Sequence, residues 1–129
     1  MLAAGCFWRS YGRLAATHAD LLVAMARKGT DLVVSGRLTA ESLPELTYPL
    51  ERAEAFARAA RQRSAEHPPP SLAALEAVLA RYREFLDTLD RVRRRETGEA
   101  ARAGLAEPLA RVERAAAAVQ AALRAEGRL

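Results

Sequence analysis

Few side chains in this sequence are of types that do chemistry, and their spacing decides what each can do. Cys6 is the one cysteine, so neither an internal disulfide nor a cysteine-rich zinc site can be built. The two histidines, His18 and His67, lie far apart, and His67 stands against the run Pro68-Pro69-Pro70. Carboxylates recur at i,i+3 spacing, Glu51 with Glu54 and Asp87 with Asp90. A di-metal site in a helical bundle instead needs Glu-x-x-His pairs projecting inward from facing helices, and no such pair occurs. The expectation is no catalytic residue, no metal, no cofactor and no small-molecule substrate. Arg91, Arg93, Arg94 and Arg95 are the conspicuous basic cluster and the candidates for contact with an anion. They fall in the last turns of a helical pattern, where cations meet the negative end of the helix dipole. Asp87 and Asp90 each precede an arginine by four residues, the favourable orientation for an ion pair on a helix. Aromatics able to stack on bases are not interleaved with them.

Three short stretches resemble known motifs. Gly5-Cys6-Phe7-Trp8 resembles the active-site tetrapeptide of the peptide methionine sulfoxide reductase A family. That resemblance implies a cysteine attacking a sulfoxide, in a mixed α/β domain that the rest of the pattern does not supply. Leu2-Ala3-Ala4-Gly5-Cys6 is loosely similar to a bacterial lipoprotein cleavage box, without the apolar segment that belongs before it. Arg13 followed after four residues by His18 resembles the motif of HEPN-type ribonucleases, themselves small helical domains. In that family the motif belongs to a late helix, whereas here it falls in the first.

The elements that must position these residues are helices. Half the residues are hydrophobic but only 5% are aromatic, and alanine, the strongest helix former, is abundant. Phe7, Tyr11, Leu14, His18, Leu21 and Met25 recur by fours and threes, which predicts one face of a first helix reaching about Val34. Ser35-Gly36 is its stop signal. A second helix begins with Ser42 and Glu45 as a capping box and runs to about 66, with Pro49 as a kink or a late start. Ser71 is expected to cap a third helix carrying Leu72, Leu75, Leu79, Tyr82, Leu86 and Leu89. A fourth uses Leu105, Leu109, Val112, Ala116, Val119 and Leu123, weakened at its start by Gly104 and Pro108. Ala115 to Ala118 offer a small-sided face for close packing, within the bundle or across a dimer.

An all-α antiparallel bundle of about four helices follows, roughly 4–34, 42–66, 71–96 and 105–126, within one domain over 1–129. No apolar run approaches the length of a membrane span, and no signal-peptide pattern appears, so a cytoplasmic protein is expected. The net charge is +4, and Lys28 is the only basic residue that is not arginine. With no chemistry to assign, the expected function is a non-enzymatic interaction module, an adaptor, assembly factor or small chaperone-like bundle, binding a protein partner or itself. Trp8, Leu22, Val78, Phe85 and Val92 lie off the strict seams and are the expected partner-facing residues. A basic nucleic-acid-associated protein acting through Arg91 to Arg95 is the alternative, and a small nuclease around Arg13 and His18 a second.

Overall fold

The computed structural model describes the backbone from residue 2 to 129 and the side chains from Gly5 onward. Four helices follow in order: α1 (Leu2–Val34), α2 (Leu43–Arg63), α3 (Pro70–Arg93) and α4 (Gly98–Ala125), with a 3₁₀ turn (Ala40–Ser42) before α2. Ion pairs and polar contacts set the register between neighbours. Arg27 meets Glu113 and Asp20 meets Gln120, so α1 and α4 run antiparallel. Arg61 meets Glu76 and Arg83 meets Glu54, which makes α2 antiparallel to α3. Lys28 lies 3.6 Å from Glu45 across the α1–α2 seam. Helices α1 and α3 pack across the shorter diagonal, while α2 and α4 stand on opposite sides. One core joins all four helices.

Glycine terminates α1 where a side chain would be strained. Gly36 has φ +71°, and the Arg37 N–H donates to the Leu32 carbonyl at 2.8 Å, closing the helix in a Schellman arrangement. Gly127 repeats this after α4, with the Arg128 N–H donating to the Leu123 carbonyl. Gly29 and Thr30 do not break α1. Gly29 admits Leu46 of α2 so closely that an added Cβ would lie 3.2 Å from its Cδ1. Thr30 bonds back to the Ala26 carbonyl at 2.9 Å.

Pro49 and Pro108 sit in the interior of continuous helices. Pro49 has no N–H for the Glu45 carbonyl, and its ring crowds the preceding turn. In that turn the buried Tyr82 hydroxyl donates to the Leu46 carbonyl at 2.6 Å, a tertiary bond holding α2 to α3. Helix α4 begins at Gly98, well before the expected start near 105, because Ala101 and Leu105 already carry its buried stripe.

Two expected caps are absent. Ser42 is helical itself, and its hydroxyl pairs with that of Thr39 at 3.0 Å, so no capping box forms with Glu45. The prolines pull the start of α3 forward to Pro70, with Pro69 extended before it. Ser71 therefore lies within the first turn, fully buried.

The largest departure is the rotation of α1. Leu14 and Leu21 are 38% and 41% exposed, while Ala15, Ala19, Leu22 and Ala26 are fully buried. The chosen side is rich in alanine because α1 touches three helices, and small side chains let those backbones approach. Ala116 of the alanine run is likewise buried within the bundle, whereas Ala117 and Ala118 are exposed.

Candidate functional site

The residues with chemical potential do not converge. Cys6 is an exposed free thiol on α1. Arg13 is exposed, and five residues along a helix turn His18 by about 140° away from it, so the pair cannot grip one phosphate as a unit. His18 is half-buried instead, its ring 5.0 Å from that of Phe56. Burial first, and the charge of Arg52 second, hold it below the ordinary histidine value of 6.5. Among the described residues, no three His, Cys, Asp or Glu side chains gather as a metal would require.

The arginine cluster at the end of α3 is tied down locally. Asp90 accepts from Arg93 at 2.8 Å and pairs with Arg94 at 3.0 Å. Arg91 reaches the Thr88 hydroxyl at 3.3 Å rather than Asp87. Arg95, with Arg91, Val92, Glu96 and Gly104, borders a shallow surface depression.

At the opposite end of the bundle a polar knot closes the fold. The Glu126 carboxylate accepts from the Ser71 N–H at 2.7 Å and the Ser71 hydroxyl at 2.8 Å, and Tyr11 Oη lies 2.8 Å from Ser71 Oγ. Arg128 pairs with Glu126 at 2.9 Å and spreads its guanidinium over the rings of Trp8 and Tyr11, 5.4 and 5.3 Å from their centroids. Arg63 lies over Phe7 in the same way, at 4.7 Å. An open cleft of about 550 Å³ runs beside this knot, bordered by Trp8, Arg63, His67 and Arg128. Its cations are already seated on aromatic rings, and Glu126 neutralises Arg128, so the arrangement serves to fasten the bundle's end.

Leu22, Val78 and Phe85, three of the five expected partner-facing residues, are fully buried, and they cannot face a partner in this fold. They lie off the narrow seams but inside the wider sectors that α1 and α3 bury against several neighbours. Trp8 is half-buried in the aromatic group with Phe7 and Tyr11. Val92 is half-buried beside Gly104.

What remains exposed and apolar is a different set. Leu14 and Leu21 stand one heptad apart on α1, with half-buried His18 and Met25 between and after them. Tyr48 is 56% exposed on α2, beneath the Arg52 guanidinium, which donates to its hydroxyl at 2.9 Å. The α1–α2 register places these residues on one face, since Lys28 sits by Glu45 and His18 by Phe56. The core is complete without them, and no buried side-chain polar atom among the described residues lacks a partner. Sequence reading found Leu14 and Leu21 but turned them inward, and it passed over Tyr48, Glu126 and Arg128. The alternation of threes and fours was a true signal of a stripe; only its orientation was open.

No family model matches the chain, and no curated protein or solved structure matches it either.

Proposed function

We propose that the protein is a non-enzymatic interaction module that works through helix–helix contacts on its α1–α2 face. The observation that supports this reading is the exposure of Leu14 and Leu21 at heptad spacing, beside Tyr48, outside a core that is already filled. Large apolar side chains scattered singly need no explanation, but a repeat of seven along one helix edge is the pattern that receives a partner helix. Nothing in the site's geometry favours the nuclease or nucleic-acid alternatives over it. Arg13 and His18 diverge, and Asp90 occupies two of the four clustered arginines.

The reading is tested by placing a photo-crosslinking residue at Thr17, between the two leucines, and in a second protein at Ala121 on the outer side of α4. In cells, the label at 17 should give discrete adducts that the label at 121 does not. Leu14→Glu/Leu21→Glu should abolish them while leaving helix content intact. Equal labelling from both positions, or adducts indifferent to those glutamates, would refute the proposal.

A further inference from the structure

We infer that the partner on the α1–α2 face is an acidic amphipathic helix, laid with its apolar side against Leu14 and Leu21 and a carboxylate at Arg52. The inference rests on the reading of this face as a contact surface and names the chemistry of its occupant.

The argument starts from how the other seams are closed. Arg27 meets Glu113 between α1 and α4, and Arg61 meets Glu76 and Arg83 meets Glu54 between α2 and α3. The α1–α2 seam has one such pair, Lys28 with Glu45, towards the end of α1. Further along, Arg52 and Arg63 lie on the α1 side of α2, Arg52 within electrostatic reach of His18 and Arg63 over the ring of Phe7. Among the described residues neither has a carboxylate partner. The positions three and four residues from Arg52 on α2 are Tyr48, Pro49, Ala55 and Phe56, none of them acidic. Glu51 points about 100° away, towards the α3 side with Glu54. Across the seam Arg52 has His18, which burial first and this arginine second hold neutral to lower pH.

The face is thus apolar along α1 and cationic along α2. The next outward positions are small and uncharged, with Thr17 and Ala24 exposed on α1 and Ala55 on α2, so a third helix axis can come close. Leucines seven residues apart match the repeat of such a helix, and Arg52 lacks the acid that its flank would bring. Arg52 and Arg63 stand about 16 Å apart along α2, three turns, so acids at the same interval meet both. A second copy is a poor match, because its face presents the same arginines and a Glu45 already held by Lys28.

Purified full-length chain and two synthetic helical peptides test the inference. Both peptides carry leucine at the a and d positions of three heptads; one has glutamate at e and g, the other lysine. In fluorescence anisotropy the glutamate peptide should bind at least about tenfold more tightly than the lysine peptide. Arg52→Glu should reverse that order with helix content unchanged, since Arg52 is exposed and its side chain bonds only Tyr48. Arg91→Glu, which alters an exposed cation at the end of α3, should leave the order as it is. Equal affinity for the two peptides, binding of neither at about 1 mM, or a preference untouched by Arg52→Glu overturns the inference. Binding to phosphatidylserine vesicles that Arg52→Glu abolishes, with no preference between the peptides, would make the occupant an anionic lipid surface and overturn it equally. If the peptides are not distinguished while adducts at position 17 still depend on Leu14 and Leu21, the face binds a protein of another character and only the acidic partner is lost. If position 17 also gives no specific adduct, both readings fall.

Discussion

Glu126, just beyond α4, holds the first turn of α3 by accepting from both the backbone N–H and the hydroxyl of Ser71, at 2.7 and 2.8 Å. A carboxylate from a distant part of the chain thereby does for α3 what a local cap does elsewhere. It also satisfies a buried hydroxyl and sits near the positive end of the helix dipole. Replacing Glu126 by alanine should cost about 1.5–3 kcal/mol, the range for hydrogen bonds to charged groups. Urea unfolding followed by circular dichroism measures it. A loss within about 0.5 kcal/mol, the usual spread for surface substitutions, would show that water serves Ser71 equally well.

Gly12 is the seat on which the residues after α4 rest. A Cβ there would lie 2.8 Å from the Cβ of Arg128 and nearer still to its carbonyl oxygen. Gly12→Ala therefore has to displace the segment that carries Glu126 and Arg128. Coupling follows from that: Gly12→Ala/Glu126→Ala should be less destabilised than the sum of the single variants, since both undo one fastening. Strict additivity, measured by the same unfolding experiment, would contradict the shared mechanism.

Tyr82 holds α2 through the turn that Pro49 disturbs. Its hydroxyl is buried, and burial pushes its pKa upward, so it stays a neutral donor to the Leu46 carbonyl. Tyr82→Phe keeps the ring and removes the bond, and should cost about 0.5–1.5 kcal/mol, the net contribution of a single hydrogen bond. Amide exchange in α2 around Thr47 to Ala53 should accelerate more than exchange in α4. Uniform acceleration throughout the bundle would deny a local role.

His18 gives the fold a dependence on pH whose sign is set by its environment. Burial, with Arg52 second, lowers its pKa in the folded state below 6.5, so the unfolded chain takes up the proton first as pH falls. The stability that neutral His18 contributes is therefore full above 6.5 and is lost as pH drops through the folded-state value. His18→Gln should lose less stability than the native chain between about pH 7.5 and 5. Parallel stability curves for the two proteins over that window would show that His18 is not the titrating group.

Much of this fold is legible in the residues themselves. Leu72, Leu75, Leu79, Tyr82 and Leu89 mark the buried side of α3, and Ser35-Gly36 ends α1 as glycine chemistry requires. The termini of α2, α3 and α4 were less legible, because Pro49 and Pro108 were tolerated and Ser71 found a partner 55 residues away. The facing of α1 was obscured for a specific reason. Leucines at 14 and 21 look more buried than alanines at 15 and 19, but burial follows the closeness of neighbouring backbones, not side-chain size alone. The same inversion hid the candidate contact face, since Leu22, Val78 and Phe85 look surplus only if each helix has one narrow seam.

The orientation of α1 is what makes Leu14 and Leu21 available to a partner, and adjacent leucines test it directly. Leu21→Ala and Leu22→Ala should be unfolded in denaturant in parallel, at low protein concentration. Leu22→Ala should lose about 2–5 kcal/mol, the cost of a cavity in a packed core, and Leu21→Ala no more than about 1 kcal/mol. The reverse order, with Leu21 the costly deletion and Leu22 the tolerated one, would turn α1 over and remove the proposed contact face altogether.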